Sequence, residues 1–184
     1  MKVDMHIHTS KSDGRDSLRD IVKAAEAKGL DVIAITDHGP GHGSGITERQ
    51  ARDTKKAAAM LQPDYHVKIL AGIEAEILPD GEVLLNSRED LDIVLASFHG
   101  AFSEDVYYRA VLKAVTDPEV DVLAHHAWIA GRFVPVRQYE DELVELMAAH
   151  EVAIEINSKH ALPSLDFLYK CRDNGVKYTI GSDA

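Results

Sequence analysis

The sequence predicts an α/β fold in which seven parallel strands close into a TIM-like (β/α)7 barrel. Three observations predict it. Strand-like and helix-like segments alternate from end to end, which calls for a parallel sheet with crossover helices. Most strand segments are near-continuous apolar runs, as in Val32-Ile33-Ala34-Ile35 and Ile93-Val94-Leu95-Ala96, suited to burial on both faces. Every strand segment also places His, Asp, Glu or Asn toward its carboxyl end. The carboxyl ends of barrel strands converge on one mouth, whereas an open sheet would spread them along an edge, so this pattern favours closure.

The first strand, 2–8, alternates apolar and polar residues through Val3-Asp4-Met5-His6-Ile7-His8. Positions i and i+2 of a strand share a side, so the two imidazoles project together, either gripping a metal or lying solvated on a surface strand. Ser17 opens a helix over 17–28 with the apolar stripe Leu18, Ile21, Val22 and Ala25, and Gly29 closes it. Strand 31–37 leads to Thr36-Asp37-His38; helix 47–61 follows, with Pro63 to stop it. Strand 67–77 carries Glu74 and Glu76, and Gly81 and Asn86 mark turns around a short hairpin strand in 79–91. Strand 93–99 ends Ser97-Phe98-His99, and helix 104–115 runs toward Pro118. Strand 121–126 ends Ala124-His125-His126 before helix 137–150. Strand 152–157 carries Glu155 and Asn157, helix 163–173 is bounded by Gly175, and strand 177–182 leads into Ser182-Asp183.

Composition narrows the function classes. The 184 residues, 45% apolar, are enough for one well-buried core and short for two domains, so 1–184 is expected to be a single domain. A formal charge of −11 argues against a general nucleic-acid surface, which needs a basic stripe. The one cysteine, Cys171, excludes an intramolecular disulfide and a Cys-rich zinc module. No apolar run reaches about 18 residues and the chain enters its first strand without room for a signal peptide, so a soluble cytoplasmic protein without a membrane partner is expected. The sequence does not specify an oligomeric state.

Ten histidines is the unusual count. Ionisable groups are almost never buried without a partner, and four of the seven strands end in histidine while others end in acids. A cation cluster is the simplest partner. Histidine plus carboxylate without cysteine suits zinc, manganese or iron. The ligands outnumber the three or four that one zinc takes, which predicts two or more metals with a carboxylate as bridge.

In the ordered set His6-Ile7-His8, Thr36-Asp37-His38, Gly72-Ile73-Glu74, Phe98-His99, Ala124-His125, Glu155-Ile156-Asn157 and Gly181-Ser182-Asp183, the chain resembles the PHP (polymerase and histidinol phosphatase) domain family over essentially its whole length. The resemblance implies a distorted seven-stranded barrel with two or three divalent metal ions in its mouth. It implies that His6, His8, Glu74 and Asp183 hold one ion, that Glu74 bridges to a second held by His99 and His125, and that a third takes His38 and Asp13. Asp13 stands where some members have histidine. The third ion's last ligand is expected in a Gly-Ser-Asp-x-His motif, and the sequence ends at Ala184, one residue before that histidine. The barrel's last helix is then missing too, and either this is part of a longer chain or the third position is incomplete.

Other residues carry weaker signals. Asp4 is expected either to support an imidazole or to face the interior. Asp37, pointing opposite to His38, is expected to be structural, His126 to lie on the rim, and Glu76 and Glu155 not to be ligands. The glycine-rich loop Gly39-Pro40-Gly41-His42-Gly43-Ser44-Gly45 lies over the mouth as a mobile segment with His42 as a substrate contact. Arg132 is the candidate for gripping phosphate, since a guanidinium forks onto two phosphate oxygens. His66 and His150 are expected on the surface, and His160 has no partner visible in sequence.

The expected activity is metal-dependent hydrolysis of a phosphomonoester, a small phosphorylated molecule. A hydroxide held by the metals attacks phosphorus in line, Glu74 serves as bridge, and Asp183 or a histidine protonates the leaving group. Two alternatives remain: a 3′-5′ exonuclease-type phosphodiesterase acting on nucleic-acid ends, and a non-catalytic metal-binding module.

Overall fold

A computed structural model describes residues 1–129, 131–134 and 137–184. The α/β class is as expected, built on two parallel sheets. β1 (Val3–Ile7), β2 (Val32–Ile35) and β3 (Lys68–Ala71) form one. β4 (Ile73–Glu76), β5 (Val94–Ser97), β6 (Val122–Leu123), β9 (Ala153–Asn157) and β10 (Tyr178–Gly181) form the other, in the order β10-β9-β6-β5-β4. A short antiparallel hairpin, β7 (Trp128–Ile129) with β8 (Arg132–Phe133), stands apart from both.

The single strand expected over 67–77 is two. At Gly72 a Cβ would lie 1.9 Å from the Ile93 carbonyl oxygen, so only glycine lets the backbone pass. There the chain leaves β2 and takes β5 as its neighbour. Past this break the sheets stay joined. Gly72 N–H donates to Ile35 O at 2.8 Å, and Glu74 N–H to Asp37 O at 3.1 Å. On the other flank β10 lies beside β1; Asp183 N–H donates to His6 O and His8 N–H to Ala184 O, both at 2.8 Å. No strand ladder closes the sheets into one among the described residues.

The helices start where capping side chains allow. Ser17, Thr47, Ser103 and Ser164 cap α1 (Leu18–Lys28), α2 (Glu48–Leu61), α3 (Glu104–Ala114) and α5 (Leu165–Asp173). Thr47 and Gln50 form a reciprocal capping box. Gly29 ends α1 at φ 66°, a left-handed turn that costs glycine little. α4 (Glu140–Ala149) is shorter than the 137–150 expected, because a 3-10 turn occupies Arg137–Tyr139.

Strand 121–126 was also expected to be longer. It stops at Leu123 because His125 and Ala127 adopt positive φ (27° and 68°), which a strand cannot continue through. The main core packs α3, α4 and α5 on β5, β6 and β9 through Tyr107, Tyr108, Leu143, Met147 and Phe167. A second packs α1 and α2 on β1, β2 and β3 through Val22, Ile33, Ile35 and Leu61. Side chains from both sheets meet in a third: Ala34, Leu95, Val122 and Ala153, with Met5 and Leu70 against them. No described helix is long and apolar enough to cross a membrane.

Candidate metal centre

The carboxyl ends of the strands bring five imidazoles and two carboxylates into one buried cluster. Glu74, on β4, is its centre, with a side chain sealed from solvent. Its Oε2 lies 3.4 Å from His6 Nε2, 3.5 Å from His8 Nε2 and 2.6 Å from His38 Nδ1. Its Oε1 lies 2.9 Å from His125 Nε2 and 3.5 Å from His99 Nε2. The two oxygens of one carboxylate thus face two separate sets of nitrogens.

On the Oε2 side, His6 Nε2 and His8 Nε2 are 3.1 Å apart and Asp183 Oδ1 is 3.5 Å from His8 Nε2. Two ligands of one tetrahedral ion at about 2.0–2.1 Å stand roughly 3.3 Å apart, close to these spacings. Asp13 flanks the same side, 3.4 Å from His38 Nε2 and 3.7 Å from His8 Nδ1. Four groups, His6/His8/Asp183, Glu74/His99/His125, His8/Asp13/His38 and His38/His42/His99, each offer ligand atoms within 4.8 Å of one another.

Carboxylates behind the imidazoles fix their tautomers. His6 Nδ1–H donates to Glu155 Oε1 at 2.7 Å, which leaves the Nε2 lone pair for the centre. Glu155 Oε2 accepts the His125 backbone N–H at 2.7 Å, so one buried carboxylate orients a ligand on β1 and another in the turn after β6. His99 Nδ1–H likewise donates to Glu76 Oε2 at 2.6 Å. Glu76 and Glu155 were expected not to be ligands; sequence reasoning missed that they support ligands, and the i, i+2 spacing of Glu74 and Glu76 on β4 was the available signal. Among the described residues Asp4 supports no imidazole: its Oδ1 accepts from Ser182 N–H at 2.9 Å and so ties β1 to the end of β10. Asp37 is structural, accepting from Thr9 N–H, Thr9 Oγ1–H and Ser12 Oγ–H to hold the loop that carries Asp13.

Electrostatics match the geometry. Burial opposes charge on His6, but the Glu74 and Glu155 carboxylates outweigh it and hold the imidazole well above its ordinary pKa. His99 is partly buried, which opposes its charge, yet Glu74 and Glu76 raise its pKa to about 10. Burial would raise Glu74 and Asp183, but the surrounding imidazoles, with Lys159 beside Asp183, hold both well below the carboxylate range. A pocket that binds protons this avidly is one in which a divalent cation gains the same stabilisation.

Two placements differ from expectation. His126 is not on the rim: it is buried between Tyr108 and Phe167, its Nδ1 lies 3.1 Å from Tyr107 Oη, and desolvation pushes its pKa down to about 3. His160 has partners after all, with Nε2 3.5 Å from Asp183 and its ring stacked on Trp128 at 4.2 Å. Arg132, placed as a candidate phosphate contact, sits exposed on β8, where it pairs with Ile129 of β7. A different cation stands at the centre: Lys159 Nζ, half-exposed, donates to Asp183 Oδ1 at 2.8 Å. His42 stacks on His38 at 3.7 Å, and His66 is exposed.

A model of the PHP domain matches residues 4–159. The chain belongs to the PHP domain family. Among curated relatives, the PHP chain is 34% identical over all of its length to the DNA polymerase/3′-5′ exonuclease PolX of Bacillus subtilis, of which it spans 34%. It is 34% identical over 99% of its length to a probable phosphatase of Caldanaerobacter subterraneus, spanning 75% of that protein. It is also 28% identical over 99% of its length to a probable phosphatase of Escherichia coli, spanning 78%. The PHP chain therefore spans about a third of the polymerase and about three quarters of the phosphatases. Its fold is similar to that of histidinol phosphate phosphatase from Lactococcus lactis, solved with zinc, L-histidinol and phosphate (TM-score 0.70, 23% identity, 99% of this chain and 85% of that one).

The residues present fit the metals that the resemblance implies. His8 Nδ1, His38 Nδ1 and Glu74 Oε2 are buried without a hydrogen-bond partner among the described residues. Leaving such groups unpaired costs about 1–3 kcal/mol each, and an all-nitrogen-and-oxygen donor set suits zinc, manganese or iron.

Proposed function

We propose that this chain is a metal-dependent phosphoesterase that hydrolyses a phosphomonoester at a multinuclear centre. The observation that carries this is Glu74, whose two oxygens face two separate nitrogen sets at the floor of the cluster. His6, His8, Asp183 and Glu74 would hold one ion, Glu74, His99 and His125 a second, and Asp13 and His38 a third. Divalent ions there would supply a hydroxide nucleophile at neutral pH and neutralise charge growing on the phosphoryl oxygens.

The chain's own residues do the rest. Glu155 and Glu76 keep the imidazole lone pairs of His6 and His99 directed inward. Asp183 is held as an anion, which suits ligation rather than proton donation. Lys159, at the half-exposed edge, is placed to draw in the phosphate dianion, with Arg132 of the nearby hairpin as a second, outer cation. His160 lies beside Asp183 at the rim, where burial lowers its pKa and keeps it neutral, so the leaving oxygen takes its proton from solvent water. As the water-derived O–P bond forms, the ester O–P bond breaks and the alcohol leaves with that proton. We take the two sheets as one distorted seven-stranded barrel, with β3 and β4 counted as a single strand broken at Gly72, supported by side chains of both sheets meeting in a common interior cluster.

The phosphatase relatives and the zinc-containing neighbour support a small phosphorylated substrate. The full-length match to PolX favours a second reading, cleavage at a 3′ nucleic-acid end. The test is phosphate release from a panel of phosphomonoesters, histidinol phosphate and nucleoside 5′-monophosphates among them, by zinc- or manganese-loaded protein, alongside shortening of a labelled single strand. Phosphate release without strand shortening supports the first reading. Strand shortening alone establishes the second, and inactivity on both with metal bound sinks the enzyme reading.

A further inference from the structure

We infer that His42 is a substrate contact, donating its Nε2–H to an oxygen of the phosphoryl group held at the metal centre. The inference rests on the phosphoesterase reading above and adds to it a hydrogen-bond donor from the glycine-rich loop.

The tautomer of His42 is fixed by its own loop. The Ser44 backbone N–H, which can only donate, reaches His42 Nδ1 at 3.4 Å. Nδ1 is therefore an acceptor, and Ser44 Oγ, 2.9 Å from the same nitrogen, donates its hydroxyl proton to it. A neutral imidazole carries one lone pair and one N–H, so the proton sits on Nε2. The lone pair that a metal would need is taken by Ser44, and the group left to present is an N–H donor.

That donor belongs to a ring lying over the centre. His42 stacks on His38 at 3.7 Å and lies 4.9 Å from the His99 ring. Each of the three has a ring nitrogen within 4.8 Å of the others. His38 is buried and His42 half-buried, so His42 forms the outer layer. An N–H above two imidazoles that hold cations gains nothing from the cations themselves. It gains from an anion lying between, and a hydrogen bond to a charged oxygen is about twice as strong as a neutral one. The phosphoryl group is that anion. Lys159 approaches from beside Asp183, so the substrate meets one cation and one neutral donor from separate loops.

The loop's backbone holds the ring at this post. Gly39 N–H donates to Glu74 O at 2.8 Å, which ties the start of the loop to the strand bearing the bridging carboxylate. Ile46 N–H donates to His38 O at 2.7 Å and closes the base, and Gly45 N–H donates to His42 O at 2.9 Å in a tight inner turn. A Cβ at Gly45 would lie 1.9 Å from the Gly39 carbonyl oxygen, so the turn requires glycine. A donor fixed in place before the substrate arrives loses little freedom when it binds.

The experiment reads two quantities on the whole zinc-loaded chain: affinity for inorganic phosphate by calorimetry, and bound zinc by elemental analysis. His42→Phe keeps a ring to stack on His38 and removes the N–H. It should weaken phosphate binding about 10–100-fold and leave the zinc content and the circular dichroism spectrum unchanged. His42→Gln returns an N–H near the place of Nε2 and should recover most of that loss. If His42→Phe binds phosphate as tightly as wild type, His42 touches no phosphate and the inference is wrong. If His42→Phe loses zinc, His42 is a ligand and the inference is equally wrong, while the phosphoesterase reading stands. A zinc-loaded wild type that binds no phosphate overturns that reading and the inference with it, and is recognised because the failure precedes any substitution.

Discussion

Glu155 is the residue on which the geometry of the centre turns, and Glu155→Gln isolates its role with almost no change of shape. In the wild type, Oε1 accepts from His6 Nδ1–H at 2.7 Å, while Oε2 accepts from His125 N–H at 2.7 Å and Asn157 Nδ2–H at 3.1 Å. Every partner is a donor, and a glutamine has one acceptor and one donor. If its oxygen faces His125 and Asn157, its amide confronts His6 Nδ1, whose proton must move to Nε2, the nitrogen aimed at Glu74. If its oxygen faces His6 instead, the amide meets two donors in a buried site. The first arrangement removes a metal ligand and the second leaves buried donors unpaired at about 1–3 kcal/mol each. Either way zinc affinity should fall about 10–100-fold, which is about 1.4–2.7 kcal/mol. Chelator competition measures it, with the metal-dependent rise in Tm as a second readout that should shrink correspondingly. A Glu155→Gln protein binding zinc within about twofold of wild type would refute the claim that this carboxylate sets the His6 tautomer.

Further predictions follow the same contacts. Tyr107→Phe leaves the Ala127 N–H, which donates to Tyr107 Oη at 2.6 Å, without its buried acceptor. It should cost about 1–3 kcal/mol in denaturant unfolding and loosen the positive-φ turn that presents His125. Glu76→Gln should weaken the ion shared by Glu74, His99 and His125 while sparing that of His6 and His8, read as loss of one zinc equivalent in a chelator titration. Gly72→Ala places a Cβ 1.9 Å from the Ile93 carbonyl, and should destabilise by more than the roughly 1–3 kcal/mol of ordinary overpacking, seen as a lowered Tm. Glu74→Ala should abolish phosphate release and lower bound metal together, with a retained circular dichroism spectrum.

Much of the centre was legible because strand periodicity is simple. His6 and His8 share a side by the i, i+2 rule, and Glu74, His99 and His125 fall at strand ends that must converge if the strands are parallel. Four of the five helices had a capping serine or threonine in place to mark their starts. What stayed hidden depends on long-range contacts that no local period encodes. The break at Gly72 is set by a carbonyl 21 positions later, at Ile93. Glu155 is recognisable as a support only when β9 lies beside β6. His126 read as a rim residue because alternation turns it away from His125, but the side it turns toward is covered by α3 and α5 rather than by water. His160 lies in a loop, where there is no period to read, and its stack on Trp128 is a tertiary event.

The central claim is that Glu74 bridges two metal ions. It is tested most directly by locating the ions with anomalous scattering in crystals of the zinc-loaded protein. Whether or not the third position is filled, the account predicts a pair of peaks about 3.5–4 Å apart, one on each side of the Glu74 carboxylate, the first against His6 and His8 and the second against His99 and His125. A single ion, or two ions with Glu74 bound to only one, would contradict it.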